Sequence, residues 1–344
     1  MRFFDYSFIK DHRFPNSHLN MLCDLHLTEE RIQTWIRFYP EAMNMLHKQR
    51  IMDDINSTHR IERMSAGGLN VSKIIESDSE PSDTDEMKVM GQYDAIIYWE
   101  SLHNEDDLGS ENILNLHKSL MGRHDNNAGK YRSMDYPHIG YGTATTIEKP
   151  ANTRETRYAL YQFCKSYNEA SHDPSLNKIV LAICATVDYF SISPFDNGNG
   201  RMYRMMLALL LKKAEITTHL YSSLEKQIMF NLDNHFTALK MSTNGWSGDF
   251  FGYDAFIDDI IYNLHQCTVE LNRSFPKPSI GKVSKTERIK HVINNSPHEF
   301  TLEYVCRHAP DVSKILIHNT ISEMIKEGTI EKHGNTRNTS FSHV

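Results

Sequence analysis

Apolar residues recur at helical spacing along most of the chain. The pattern is clearest at 112–120, 158–167, 179–190, 202–213 and 255–271. In these segments apolar side chains return every three or four positions, as they do in a helix with one buried face. Alternation of apolar and polar residues, which is typical of strands, is confined to a patch at 137–147 and to the C-terminus. The pattern predicts a mostly α protein.

Two segments interrupt this helical pattern. Residues 76–86 carry six acidic side chains and no aliphatic one, so we expect a solvated loop. Residues 274–281 contain two prolines and a glycine, which end any helix and mark a linker.

The residues after this linker are expected to form a separate small module. Their pattern predicts helices at 285–294, 301–308 and 312–327, followed by a hairpin at 330–341. This order resembles a winged helix. DNA is therefore a possible partner of this module. It is not favoured, because basic residues exceed acidic ones by only two over 282–344.

The composition is that of a globular protein, with 40% hydrophobic and 24% charged residues among 344. No apolar run approaches the roughly 20 residues that a membrane helix needs, and the first residues lack the pattern of a secretory signal. Five cysteines without a Cys-x-x-Cys pair favour reduced thiols over a disulfide framework. We therefore expect a cytoplasmic protein that does not associate with a membrane. A net charge of −7 argues against binding nucleic acid over the whole surface.

The segment 193–204 carries the candidate chemistry. A Gly-Asn-Gly turn at 198–200 runs directly into an apolar helix, and the free N–H groups of a helix start attract anions. Arg201 and Arg204 are three residues apart, so both project from the first turns toward one side. The turn could be only a helix cap. With the two arginines, it predicts a site for a multiply charged anion such as a polyphosphate.

The same segment resembles the Fic family motif, His-x-Phe-x-Asp/Glu-Gly-Asn-Gly-Arg-x-x-Arg. The matching positions are Phe195, Gly198, Asn199, Gly200, Arg201 and Arg204. Residues 129–132 and 136–146 also resemble the family's entry to its target-docking flap. The resemblance covers roughly 50–272. It implies an all-helical core with a short β-hairpin flap, which transfers AMP from ATP to a hydroxyl of a target protein with Mg²⁺ or Mn²⁺.

Two positions depart from the motif. Ser193 stands where the family has the histidine base, and a serine hydroxyl is a poor base near neutral pH. Asn197 stands where the family has the metal-binding acid, and an amide oxygen brings no negative charge to the cation. Asp196 could serve the metal instead, although a solvated acid is the simpler interpretation. We expect a weak metal site on Asn197 or Asp196.

A further match lies before the core. Thr58 and Glu62 resemble the inhibitory helix motif of one class of the family, Ser/Thr-x-x-x-Glu-Gly/Asn, whose glutamate pairs with the second motif arginine. The resemblance implies that Glu62 binds Arg204 and competes with phosphate for its donors. The alternative is a surface glutamate. Arg63 departs from the Gly or Asn expected at this position of the motif.

These observations predict four regions along the chain. They are an N-terminal helical region at 1–90 with an inhibitory helix near 50–64 and an acidic loop at 76–86, a Fic core at 91–272, a linker at 273–281 and a winged-helix-like module at 282–344.

Three functions remain open: a weak or regulated AMP transferase, a nucleotide-binding pseudoenzyme, and a winged-helix regulator or interaction protein on a Fic scaffold. We favour the first. ATP and an unidentified target protein are then the expected partners, and a homo-oligomer stays open.

Overall fold

The computed structural model describes most of the chain and divides it into two compact units, Met1–Leu271 and Asn272–Val344. The described residues are 4–63, 70–76, 80–135, 138–141, 145–148, 151–246, 248, 252–274, 285–294, 296–309, 312–334 and 339–343.

The first unit is built mainly from helices, so the predicted mostly α fold is confirmed. They are α1 (Asn16–Phe38), α2 (Pro40–Ile61), α3 (Val71–Glu76), α4 (Thr84–Ser101), α5 (Ser110–Met121), α6 (Thr153–Ser171), α7 (Lys178–Ile192), α8 (Asn199–Lys213), α9 (Leu224–Phe230), α10 (Leu232–Thr243) and α11 (Asp254–Ser274). Single turns of 3₁₀ helix lie at Ser7–Asp11 and Thr218–Leu220. None of the helices in the described part of the chain is long and apolar enough to span a bilayer.

One short hairpin interrupts the helices. Strands β1 (His138–Tyr141) and β2 (Thr145–Glu148) pair antiparallel, with Ile139 opposite Ile147. The strand-like pattern at 137–147 predicted this element. Its predicted turn and its first residues lie outside the described residues.

Helix α7 lies at the centre of the first unit. Every residue from Ile179 to Ile192 is buried, as expected for a helix that is apolar on all sides. The side chain of Asn177 caps its start by accepting from the N–H groups of Ile179 and Val180. Helix α7 ends at Ile192 with Ser193 as its C-cap, and α8 returns beside it. The motif segment is thus the connection between two core helices.

Helices α4 and α5 approach each other closely at Gly91. A Cβ atom at this position would lie 2.3 Å from the carbonyl oxygen of Leu120, so the contact requires glycine. This contact fixes the end of α5, which packs against the motif segment.

The prediction of an acidic loop at 76–86 is wrong at both ends. Glu76 is the last residue of α3, and α4 begins at Thr84. The side chain of Asp83 caps α4 by accepting from the N–H groups of Asp85 and Glu86. Acidic side chains are favourable in the first turn of a helix, and this effect outweighs their mutual repulsion. Residues 77–79 lie outside the described residues.

A buried carboxylate ties distant parts of the first unit together. Asp188 on α7 accepts hydrogen bonds from the Tyr6 hydroxyl (3.0 Å), the Trp246 indole N–H (2.8 Å) and the Tyr253 hydroxyl (2.9 Å). Trp246 is buried, as are the chain's other two tryptophans, Trp35 and Trp99. Hydrogen bonds to a carboxylate are charge-assisted and stronger than those between neutral groups.

The second unit has a separate core and the predicted order of elements. It contains α12 (Lys285–Asn294), β3 (Glu299–Thr301), α13 (Leu302–His308), α14 (Lys314–Lys326), β4 (Ile330–His333) and β5 (Ser340–His343). The strands form an antiparallel sheet in the order β3-β5-β4. Thr301 caps α13 through its side chain, as predicted. Strand β3 was not predicted, because three residues are too few for an alternating pattern. The arrangement is winged-helix-like.

Candidate functional site

Ser193 ends α7 and is not open to a ligand. Its φ of 43° lies in the left-handed region, and the residue is fully buried. Its hydroxyl donates to the carbonyl of Phe190, and its own carbonyl accepts from Arg132 Nε (3.0 Å). The predicted catalytic position is therefore occupied by a helix-end residue whose side chain bonds to the backbone.

Gly198 lets the motif loop pack directly on α5. Its φ is +77°, and a Cβ atom there would lie 3.0 Å from Met121 Sδ and 3.4 Å from His117 Nε2. Both the backbone conformation and the space therefore require glycine. The buried side chain of Asn199 then fixes the loop, because it accepts from the N–H of Phe195 (3.1 Å) and donates to its carbonyl (2.7 Å).

His117, which sequence reasoning missed, connects this loop to the segment before the hairpin. Its ring stacks on Phe195 with centroids 3.6 Å apart. Nδ1 accepts from the Gly129 N–H (2.9 Å), so Nε2 carries the proton and donates to the carbonyl of Asn197 (3.1 Å). Burial lowers the pKa of His117 to about 4. The ring is neutral near neutral pH, as its two hydrogen bonds require.

Arg201 is a buried cation that forms no hydrogen bond or salt bridge to a carboxylate among the described residues, although Glu62 attracts it electrostatically. It lies in the first turn of α8 and is 6% exposed. Its Nη2 lies 2.9 Å from Met121 Sδ, a weak acceptor, and its Nε has no hydrogen-bond partner. Burial lowers the pKa of Arg201. Burial of a charge is costly where its donors lack hydrogen-bond partners, so an anion bound here would relieve that cost.

Arg204 lies one turn further along α8 and is bound by two carboxylates. Its Nε donates to both oxygens of Glu225 (3.0 and 2.8 Å), and its Nη2 donates to Glu62 Oε1 (3.0 Å). The structure thus brings Glu62 and Arg204 together, as the motif near the N-terminus predicted. Sequence reasoning missed Glu225, because an acid in the first turn of a helix is commonly exposed.

Glu62 follows α2 instead of lying within it. The helix ends at Ile61, so the prediction of helix to residue 64 runs too far. The N–H of Glu62 donates to the Thr58 carbonyl (2.9 Å), and Arg63 has a φ of 51°. This left-handed conformation suits Gly or Asn, which explains the motif's preference. Arg63 adopts it as well, at a cost in backbone strain.

Asn197 and Asp196 point to different neighbours. Asn197 is exposed, and its Nδ2 lies 3.4 Å from Asp125 Oδ2. Asp196 accepts instead from the N–H of Ser133 (3.2 Å). The described residues hold no group of three or more His, Cys, Asp or Glu side chains placed for a metal. A Mg²⁺ ion bound mainly by phosphates needs only one or two protein oxygens. Asp125 offers a carboxylate here, while Asn197 presents its Nδ2 to that carboxylate, so its amide would have to turn to offer an oxygen.

The sequence of this region also matches a known family. Residues 107–211, which include the whole motif segment, match the Fic/DOC family. These residues form a Fic domain. The motif loop and α5 lie within the matched residues, as does α8 up to Leu211. No curated protein matches the chain.

Several solved structures of similar fold are those of Fic proteins. A Fic family protein from Desulfovibrio desulfuricans G20 is 14% identical, and the match covers 97% of both chains with a TM-score of 0.62. Fic-1 from C. elegans is 16% identical over 73% of this chain and 70% of that chain (TM-score 0.56). A Fic domain signalling protein from Bacteroides thetaiotaomicron is 16% identical over 73% and 93% (TM-score 0.56). At these identities the likeness concerns the fold.

Proposed function

We propose that this chain is a Fic-type protein adenylyltransferase, which transfers AMP from ATP to a hydroxyl of a target protein at a low and regulated rate. The observation that carries the proposal is Arg201. A buried guanidinium bonded only to a thioether, at the N-terminal end of a helix, favours a bound polyphosphate.

Two further residues prepare the site for phosphate. Gly198 brings the loop backbone against α5, and the neutral His117 holds that loop by donating to Asn197. The N–H groups at the start of α8 are then fixed in advance, so ATP binding does not have to order them. Mg²⁺, held by the Asn197 amide and the Asp125 carboxylate, would supply positive charge against the polyphosphate.

The low rate follows from Ser193. The attacking hydroxyl must lose its proton, and the group at the family's base position donates its only hydrogen to the Phe190 carbonyl. Loss of a positioned general base costs about 10²–10⁴-fold in rate. Phosphate binding and orientation remain to accelerate the reaction.

The regulation follows from Arg204. Its guanidinium is already bound by Glu62 and Glu225, so a γ-phosphate would have to displace a carboxylate to reach it. The resemblance to the inhibitory motif gives Glu62 this competing role. Glu62 is the better candidate for release, because its side chain is 20% exposed against 11% for Glu225.

Ser193 also favours a second candidate, a nucleotide-binding protein that transfers nothing. Its hydroxyl is fully buried and bonded to the backbone. In this case ATP would bind at Gly198–Arg204 without any transfer to protein.

One experiment separates the two candidates. The chain is incubated with α-³²P-ATP and Mg²⁺ or Mn²⁺, and label is sought on the chain and on lysate proteins. Calorimetry measures ATP binding in parallel. We expect Arg201→Ala to weaken binding by about 1–3 kcal/mol, while Arg307→Ala, a control at an exposed arginine of the second unit, leaves it unchanged.

Label on protein supports adenylyl transfer, whereas binding without label supports the second candidate. Absence of ATP binding at millimolar concentration would contradict both.

A further inference from the structure

The last turn of α2 places a histidine beside Arg201. Glu62, which follows this helix, accepts from Arg204 Nη2 at 3.0 Å. His59 lies three residues before Glu62, and Arg201 lies three before the second arginine. One helical turn back along each segment therefore brings His59 to the first turn of α8. Arg201 is accordingly the charged group that acts most strongly on the His59 ring.

Three buried nitrogen atoms in this place lack hydrogen-bond partners among the described residues. They are Arg201 Nε, His59 Nδ1 and His124 Nδ1. The charge of Arg201 acts on both histidine rings, so the three groups lie near one another. His59 is only 8% exposed. Buried polar atoms are normally hydrogen-bonded, and three unbonded ones near one arginine point to a ligand.

Four elements meet around this arginine. The sulfur of Met121, at the end of α5, lies 2.9 Å from Arg201 Nη2. His124 lies in the next turn, where its N–H donates to the Met121 carbonyl (3.0 Å). Helix α4 borders the same place, because the charge of Lys88 acts on both histidines. The group is therefore built from α2, α4, the turn after α5 and α8.

The charged groups that face His59 decide the sign of the ligand. Two of them are cations, Arg201 on α8 and Lys88 on α4. The two anions are Asp85 on α4 and Glu62 after α2. Asp85 is paired with Lys88 at 2.9 Å, and Glu62 is paired with the second motif arginine. The unbonded donor among these groups belongs to Arg201, so the ligand that fits is an anion.

The same surroundings determine the protonation state of His59. Burial lowers the pKa of His59, and the charge of Arg201 lowers it further. Lys88 acts in the same direction, whereas Asp85 and Glu62 oppose it. Since the usual value is about 6.5, the ring is neutral near neutral pH. A bound anion would favour the protonated ring and raise its pKa.

We propose that His59 is a phosphate-binding residue of the Arg201 site and takes up a proton from solvent as the anion binds. The protonated ring donates from Nδ1 to a phosphate oxygen, and His124 offers a further donor. This deepens the proposed function, on which it rests for the identity of the anion as the polyphosphate of ATP. The end of α2 then acts in two ways, because Glu62 opposes the nucleotide while His59 binds it.

The consequence is a dependence of affinity on pH. A group with a higher pKa in the complex than in the free protein binds more protons in the complex, so affinity rises as the pH falls. Each pKa unit of difference corresponds to about a tenfold change in affinity.

The test is calorimetric titration of the full chain with inorganic tripolyphosphate and with ATP, without added metal ion, at about pH 8 and about pH 6. His59→Gln cannot take up a proton. We expect it to match the wild type within about twofold at the higher pH and to bind about tenfold more weakly at the lower pH. Titration of the phosphates themselves is the same for every variant and cancels in this comparison. His26→Gln, at an exposed position of α1, should match the wild type at both pH values.

His59→Lys provides a rescue, because it keeps a positive charge at both pH values. We expect it to bind tripolyphosphate at the higher pH more tightly than the wild type does, by about the same factor of ten. A histidine that only fills space would not be improved by this change.

The outcomes separate this proposal from the proposed function. If ATP binds and His59→Gln differs from the wild type by the same factor at both pH values, the role of His59 is overturned and the ATP site stands. The role is also overturned if both variants lose binding at both pH values, which indicates a structural residue. If tripolyphosphate shows the pH-dependent difference and ATP does not bind, His59 keeps its role and the proposed function is contradicted. Failure of both ligands to bind at roughly 10 mM contradicts both.

Discussion

The surroundings of Arg201 and of Arg204 differ although the two arginines lie one turn apart on the same helix. Arg201 meets the sulfur of Met121 and leaves a buried nitrogen unpaired. Arg204 binds carboxylates from α9 and from the end of α2. Arg201 therefore keeps a donor for an anion, whereas the donors of Arg204 are bound by carboxylates, one of which, Glu62, also attracts Arg201 electrostatically. Affinity for a nucleotide and control over it can reside in neighbouring residues.

The largest expected effect is a loss of stability, which is compared between two single variants that replace either arginine with glutamine. Arg204→Gln leaves Glu225 buried without its cation, so we expect the free energy of unfolding to fall by about 3–5 kcal/mol. Arg201→Gln removes a buried charge that is hydrogen-bonded to no carboxylate and should cost less than about 1 kcal/mol. Urea unfolding of the two variants measures both values. Equal losses would show that the two surroundings do not differ as described.

The next largest effect is the dependence of stability on pH, which tests the part of the site around Arg201 where His117 holds the motif loop. The pKa of His117 is held at about 4 by burial, below its usual value of about 6.5. Protonation therefore favours the unfolded chain. The stabilisation is complete above pH 6.5 and is lost as the pH falls from about 6.5 to about 4, up to about 3 kcal/mol in all.

Other buried groups also titrate in this pH range, so the contribution of His117 has to be measured as the difference in unfolding free energy between the wild type and a variant without this histidine. Burial raises the pKa of Asp54 to about 7, which acts in the opposite direction. The unfolding free energies of the wild type and of His117→Gln are compared from pH 8 to pH 4, and we expect the gap between them to narrow as the pH falls. A gap that stays constant would mean that the ring does not titrate as described.

The smallest effect concerns the half of the site around Arg204. Glu62→Gln keeps the size of the side chain and removes its charge, so Arg204 loses one competing carboxylate and keeps Glu225. We expect tighter ATP binding by about 1 kcal/mol or less, given the partial exposure of this pair, and a parallel rise in self-labelling. Glu100→Gln, which changes another acid bound to a buried arginine, serves as the control. If Glu62→Gln binds ATP no better than the wild type, the contact is structural only.

The features that could be predicted from the sequence are those set by patterns of neighbouring residues. Patterns of this kind depend only on residues that are close in the sequence. The structure has helices where the apolar residues recur at helical spacing, and a glycine loop at 198–200. It also divides into two units near the break at 274–281. The family resemblance added the partnership of Glu62 with Arg204. The roles of Ser193, Asn197 and the nucleotide remain predictions.

The contacts that sequence reasoning missed are long-range. His117 bonds to a residue 80 positions away, and Glu225 reaches Arg204 across 21. Nothing in the local pattern separates these residues from an ordinary helical histidine and an ordinary first-turn acid. The prediction of a loop at 76–86 was wrong for another reason. It relied on the density of acidic residues alone, whereas Asp83 is the N-cap of a helix and the acids after it lie in the first turn of that helix.

All three tryptophans lie in the first unit, and residues 272–344 contain none. Tryptophan fluorescence therefore reports on the first unit alone. The emission of Trp246 is sensitive to the hydrogen bond that its indole N–H donates to Asp188. Circular dichroism reports the helices of both units. A denaturation curve that differs between these two probes would reveal that the units unfold independently, with no label added to the chain.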